Sequence, residues 1–206
     1  MSMNGPAPAV IWFKSEAYTN DPHVLDDALE ILSKADGMQG TYVGAQVQEP
    51  HLGFWITIWK TNAHYKRFMK TDAAKRVSHT FRAILDEQPD VNHVLLPTKI
   101  TKPMKSNVVE TVYITANPGH TRQSLEGLMD RLTIALRESK GCHDSSWGHS
   151  VENDAMWVGI IGWDSVEAHH RARYEPKLGD VIGEIHTVAD IKVKYGNLTK
   201  YEGSLF

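Results

Sequence analysis

Gly37-Met-Gln-Gly-Thr-Tyr-Val-Gly44-Ala-Gln-Val47, running on through Ile56 to Trp59, lies without a gap on Gly141-Cys-His-Asp-Ser-Ser-Trp-Gly148-His-Ser-Val151, which runs on through Ile160 to Trp163, every pair 104 positions apart. Upstream, Val10-Ile-Trp12-Phe-Lys14 matches Thr111-Val-Tyr113-Ile-Thr115 at a separation of 101, and Leu25, Ala28, Leu29 and Leu32 match Leu125, Leu128, Met129 and Leu132 at 100. The growth in separation is about one helical turn, the step by which a helix lengthens without rotating its buried face. Two half-chains of one design are implied, residues 8–98 and 107–206. Lys99-Ile-Thr-Lys-Pro-Met-Lys-Ser106, marked by charge and proline, reads as the linker 99–106. A fold made of two like halves confines a pocket to one half or to the space between them.

Periodicity gives each half its elements. Val10 to Ser15 alternates and is β-rich, as a strand requires. Asp21-Pro22 reads as an N-cap followed by proline in the first turn, and Thr121 takes the capping place in the second half. Leu25–Leu32 and Leu125–Leu136 place apolar residues at three and four spacing, the stripe of a helix covering a sheet, and Gly37 and Gly141 stop these helices. Thr41–Gln48 and Phe54–Lys60 alternate around a turn near Glu49-Pro50-His51, a hairpin repeated by Ser145–Glu152 and Met156–Trp163. A second helix and a last strand, His93–Leu96 or Ile191–Tyr195, complete each copy. The order strand, helix, strand, strand, helix, strand is ferredoxin-like. Both strand faces carry apolar residues, as at Phe54, Trp55, Ile56 and Ile58, so the face away from the helices also needs a cover. The expected fold is α+β: two ferredoxin-like repeats packed sheet to sheet as an intramolecular dimeric α+β barrel.

Composition narrows the classes. With 206 residues, 41% hydrophobic and 23% charged, and a formal net charge of -3, the chain has the profile of a globular protein. No basic face is available for a phosphate backbone, so nucleic acid is not an expected partner. The first residues lack a basic segment and an apolar core of signal-peptide length, and no apolar run is long enough for a bilayer, so no membrane association and a cytoplasmic location are expected. The single cysteine, Cys142, excludes an internal disulfide and fits a reducing compartment.

Gly141 to Gly148, the hairpin ending in Trp163, and Trp163-Asp-Ser-Val-Glu-Ala-His169-His170 resemble the antibiotic biosynthesis monooxygenase domains of the dimeric α+β barrel superfamily. Trp59-Lys-Thr-Asn-Ala-His64 echoes the second motif with its Ala-His one residue tighter. The resemblance covers most of both halves, and it implies that two fused copies replace the usual two subunits. It also implies a small aromatic or polyketide-like ligand and, in many members, oxygen chemistry of secondary metabolism without a metal or flavin. Relatives in the superfamily cyclise, decarboxylate or isomerise, bind haem, or only bind ligands, so those readings stay open beside oxygenation. The chain is expected as a monomer or a homodimer.

Candidate residues follow from comparing the copies. Ala45 becomes His149, Val43 becomes Trp147, Trp12 becomes Tyr113 and Lys14 becomes Thr115, so the second half gains polar groups among apolar strands. His149 and Trp147 share a strand face and Tyr113 lies on the first strand of the same sheet, which places the principal pocket in the C-terminal half. A histidine there is a candidate base for a phenolic proton, and His169 or His170 is expected to reach the same pocket. The candidate catalytic set is His149, His169, His170 and Tyr113; the candidate substrate-binding set is Trp147, Trp163, Tyr174, Trp12, Trp59 and His64. No metal site is expected despite eleven histidines, because adjacent His169 and His170 diverge by about 100° on a helix and His143 and His149 are too far apart along a strand.

Overall fold

The computed structural model describes residues 5–47, 49, 51–97 and 99–203. The first half runs β1 (Ala7–Lys14), α1 (Glu16–Asn20), α2 (Asp26–Ser33), β2 (Met38–Gln46), β3 (Leu52–Trp59), α3 (Asn62–Phe68), α4 (Asp72–Ala83) and β4 (Asp90–Leu95). The second runs β5 (Val108–Ala116), α5 (Glu126–Glu138), β6 (Cys142–Ser150), β7 (Met156–Trp163), α6 (Val166–Ala172), α7 (Pro176–Val188) and β8 (Ala189–Lys200). Neighbouring strands are antiparallel in the order β4-β1-β3-β2 in the first half, and the second half repeats it as β8-β5-β7-β6.

The register makes the repeat physical. Trp59 pairs with Ala7 and Trp163 with Val108; Trp12 pairs with Phe54 and Tyr113 with Val158. Even the irregularity is duplicated, since β2 slips between Met38 and Gly40 and β6 between Cys142 and Asp144. The hairpin turn expected at Glu49-Pro50-His51 involves Gln48 and Pro50, which lie outside the described residues.

Each sheet buries its first helix as the periodicity predicts. Leu25, Ala28, Leu29 and Leu32 are buried with Phe13, Trp55 and Phe81, whereas Leu125, Met129, Leu132 and Leu136 are buried with Ile114, Trp163 and Val181. Each of the buried leucines, and Met129, contributes roughly 1.5–3 kcal/mol on leaving water. The extra length of the second copy falls in α5, 13 residues against 8 in α2. Asp21 accepts from the His23 N–H and caps the 3₁₀ turn Pro22–Leu25 that leads into α2, and Thr121 accepts from the Ser124 N–H just before the turn Gln123–Leu125; α2 and α5 themselves start after Leu25 and Leu125 without a side-chain cap, contrary to the expectation. Gly37 and Gly141 both sit at φ 82°, in the left-handed region where only glycine is unstrained.

Two boundaries differ from the sequence expectation. Residues 99–106 are not a free spacer: Pro103–Lys105 forms a 3₁₀ turn, and Ile100, Pro103, Met104 and Ser106 are buried. The second unit also ends earlier than 206. Its described residues run from 99 to 195, and residues 196–203 belong with the first unit, where β8 pairs along β2 from Gly196 opposite Gln46 to Lys200 opposite Tyr42. The strand continues past the expected Ile191–Tyr195 because β2 supplies it with hydrogen bonds from Gly196 on, which outweighs the weak strand preference of Gly196 and Asn197. Helix α1, capped by Ser15, was not marked by any apolar stripe.

Candidate functional site

In the second half the space between sheet and helices encloses a cavity of about 200 Å³. Its apolar wall includes Val112 and Ile114 of β5, Ile161 of β7, Leu132 and Leu136 of α5, and Leu178 and Ile185 of α7. Alternation along β5 puts Glu110, Val112 and Ile114 on this face together. A carboxyl group thus stands in an apolar wall. Glu110 is 2% exposed, and burial is the main reason its pKa is pushed up to about 7, against a downward pull from the Trp163 hydrogen bond and the charge of Arg173.

The groups around Glu110 form a connected set. Trp163 donates its indole N–H to Glu110 Oε2 at 2.5 Å. His169 of α6 stacks edge-on against Trp163, with ring centroids 5.1 Å apart, and presents Nε2 to Glu110 Oε1 at 3.5 Å. Tyr195 of β8 and His169 share a hydrogen bond between the phenol oxygen and Nδ1 at 2.6 Å, which holds the imidazole ring in place. Burial, then the charges of Arg173 and His170, lower the His169 pKa to about 4. Burial works against charge on both partners of this contact, raising the pKa of Glu110 and lowering that of His169. Burial also raises the Tyr195 pKa, keeping the phenol protonated. Cys142 is pushed up to about 12 by burial and by the Glu110 charge, which removes it as a nucleophile near neutral pH.

The structure brings some candidates together and separates others. His169 and Trp147 line the cavity; Trp163 supports it through Glu110. His149 does not line it. It shares the face of Trp147 but lies two residues further along β6, about 7 Å away, where it stacks on Trp157 with centroids 4.5 Å apart. Burial lowers its pKa, with Arg122 contributing. Tyr113 and Trp12 are buried on the opposite sheet faces, because each is an odd number of residues from the cavity-lining positions of its strand. His170 is exposed on α6, and Tyr174 is 88% exposed beyond the helix end. His143 bridges Ser106 and Asp164 outside the cavity.

His64 is also displaced from its expected role. Its Nδ1 bonds Thr61 Oγ1 at 2.8 Å, and its ring lies directly under Gly37, where a Cβ would come within 2.2 Å. Under Gly141 the corresponding residue is Ala168, so the positional partner of His169 is Tyr65. The Ala-His echo in the sequence is thus out of register by one. Tyr65 stacks on His93 of β4 with centroids 4.3 Å apart, while His169 meets Tyr195 at 5.2 Å, so the halves carry the same pair with the two residues exchanged. Trp59 and Tyr65 line a second cavity, of about 510 Å³, within the first half. That cavity is the larger of the two, contrary to a principal pocket in the C-terminal half. Trp147 accounts for part of the difference: in place of Val43 it projects a large ring into the smaller cavity.

Glu110 and Tyr195 were not among the expected residues. Glu110 had a signal: it is a lone carboxylate in Val108-Val-Glu-Thr-Val112, and its counterpart at the separation of 101 is Ala9, one position before the compared block begins. Tyr195 had none, since nothing local ties it to His169.

Among the described residues no group of three or more His, Cys, Asp or Glu side chains is placed to hold a metal ion, and no helix is long and apolar enough to cross a membrane. With the geometry in hand, solved structures define the fold. A proposed monooxygenase from Fusobacterium nucleatum superposes with a TM-score of 0.72 at 12% identity, covering 99% of this chain and 98% of its own. An anthrone oxidase-like protein gives 0.72 at 13% identity over 98% and 95%, and a proposed chlorite dismutase gives 0.65 at 12% identity over 94% of each chain. No family model and no curated protein matches the sequence. At these identities the likeness is one of fold: α+β, with two ferredoxin-like repeats on one chain.

Proposed function

We propose that this chain is an enzyme acting on a small phenolic or enolic aromatic compound in the C-terminal cavity, with Glu110 as the base. One observation carries the reading: a fully buried carboxyl, its pKa near 7, lines an apolar cavity. A group so poised is half ionised near neutrality and gains the neutral form favoured by its surroundings when it takes a proton. Trp163 and His169 fix the carboxyl, and Tyr195 fixes the imidazole. A cavity of about 200 Å³ suits one or two rings, since roughly 150 Å³ holds benzene.

Removal of the proton leaves an electron-rich ring carbon that can reduce dioxygen. In the oxygenation we favour, an activated ring CH2 becomes C=O; one oxygen atom enters the substrate, the other leaves as water with the two hydrogens, and the substrate supplies all the electrons. Support for oxygen as the second reactant comes from the fold's likeness to proteins named as a monooxygenase and an anthrone oxidase-like protein. Haem does not suit this cavity, whose volume lies below the range of roughly 300–1,000 Å³ usual for larger ligands, and His169 has both nitrogens directed at protein groups.

The test is oxygen uptake and product analysis with a panel of one- and two-ring phenols and hydroxynaphthalenones, using wild type and Glu110→Gln. Oxygen consumption lost in Glu110→Gln, with binding retained, is the expected result. Turnover without oxygen consumption would move the assignment to cyclisation, decarboxylation or isomerisation by the same base, and undiminished turnover in Glu110→Gln would overturn it.

A further inference from the structure

A guanidinium reaches the C-terminal cavity from the end of α6. Arg173 is the C-cap residue of that helix, in helical conformation and four residues after His169, so the two side chains leave one helix face a turn apart, with about 5–6 Å between their Cβ atoms. Both line the cavity, as does His186 of α7. Glu110 and His169 are buried whereas Arg173 and His186 are exposed, which puts the carboxyl in the depth of the cavity and the cationic groups at its mouth. The charge of Arg173 is felt inside, where it lowers the pKa of Glu110, His169 and Tyr195 alike.

Among the described residues Arg173 makes no ion pair and no side-chain hydrogen bond, although Arg67 and Arg131 each hold a carboxylate. Water satisfies a surface arginine. One that walls a cavity gives up part of that water when a guest fills the space, and then an anion is the partner that offsets the loss. The first half shows what the position is without this charge. At the separation that matches Tyr65 with His169, Met69 stands in place of Arg173, and it lines the N-terminal cavity together with Ala9, the counterpart of Glu110. Two apolar positions in one cavity are therefore a guanidinium and a carboxyl in the other.

We infer that the substrate of the C-terminal site is an acid, whose carboxylate Arg173 takes at the cavity mouth while its phenolic or enolic group lies toward Glu110. The inference rests on the reading above and names the substrate class of that site. A guanidinium and a carboxylate meet as a planar fork with two parallel hydrogen bonds, which fixes the direction in which the guest enters. His186, also at the mouth, offers a second donor. A bound carboxylate neutralises the charge that pulls the Glu110 pKa down, so the base is stronger with an acid in place than with a neutral phenol.

Calorimetric titration of the full chain near neutral pH with 6-hydroxy-2-naphthoate and with its neutral isostere 6-hydroxy-2-naphthamide tests the inference. Wild type should bind the acid at least tenfold more tightly than the amide. Arg173→Gln should bring the two affinities within twofold of each other, and Arg173→Lys should keep part of the preference, because a point charge replaces the fork. Arg171→Gln removes an equal charge two residues away, outside the cavity wall, and should leave the preference within twofold of wild type. Thermal melting confirms that each variant is folded, and Arg173→Lys carries the test if Arg173→Gln is not. Equal affinity for acid and amide in wild type, no binding of either, a preference undiminished in the folded Arg173 variants, or an equal loss in Arg171→Gln would overturn the inference. Turnover separates it from the reading on which it rests. Glu110-dependent turnover of neutral phenols with no preference for the acid would sink the inference and leave Glu110 as the base, whereas an Arg173-dependent preference without Glu110-dependent turnover would leave the anion site and remove the base.

Discussion

Ala9 and Glu110 hold one point on the first strand of their respective halves, beneath tryptophans that end the same strand at the same register. One is a methyl group and the other a carboxyl, and around that exchange the rest of each cavity has been refitted. Trp59 turns its N–H to Thr57; Trp163 turns its own to Glu110. The Tyr65–His93 contact becomes His169–Tyr195 with the histidine moved onto the helix, where it reaches Glu110. A further exchange sets the volume: Val43 and Trp55 are cross-strand partners in the first half, Trp147 and Gly159 in the second. The lesson is that a duplicated frame preserves registers, glycine turns and strand-ending tryptophans, while the side chains facing the interior space diverge as sets. Each new polar group needs partners when it is buried.

The largest test of this contrast is the carboxyl itself. Glu110→Gln should lower turnover by roughly a hundredfold to ten-thousandfold, the range expected for a general base, with little change in ligand affinity. Comparable turnover in variant and wild type would mean the halves differ in binding alone.

A second test is the pH dependence of stability. Glu110 has a folded pKa near 7 against an ordinary 4.5, so between these values the folded chain holds a proton that the unfolded chain has lost, and stability falls as pH rises by about 3 kcal/mol. His169, near 4 when folded against 6.5, does the opposite: the unfolded chain holds the extra proton, and stability rises with pH across that window. The two slopes oppose each other between about pH 4.5 and 6.5. Denaturant titrations should therefore show Glu110→Gln gaining stability relative to wild type as pH rises through 7, and His169→Asn losing it relative to wild type over pH 4 to 6.5. Parallel profiles for all three proteins would remove the pair from the argument.

Packing sharpens the comparison at smaller scale. A Cβ at Gly159 would lie 2.4 Å from the Trp147 ring, so Gly159→Ala should destabilise by roughly 1–3 kcal/mol, and the added Trp147→Val should relieve much of that cost. Calorimetric melting of the single and double variants reads this directly; additive effects would show that the two positions are not coupled.

The smallest effect is expected at His149. Set against Trp157 and away from Glu110, it should tolerate replacement by alanine with turnover changed less than twofold, although loss of the ring contact costs some stability. A large loss of turnover with an unchanged melting temperature would restore it to the site.

The tandem organisation, the ferredoxin-like order, the helix stripes and the equivalence of Trp59 with Trp163 were legible in the sequence, because they depend on spacing along the chain and on local backbone needs such as the left-handed glycines Gly37 and Gly141. The sheet face that carries the cavity was not. Val10 and Trp12 are as apolar as Ile11 and Phe13, so alternation separates two faces without saying which one meets the helices; that ambiguity placed Tyr113 on the wrong side. Nor could spacing bring His169 to Tyr195, or Trp163 and His169 to Glu110, since these contacts span 26 to 59 positions. Residue identity along the chain determined two similar frames. Only the tertiary structure decided which carboxyl would be buried, because burial and the pKa it produces depend on every element packed around the group.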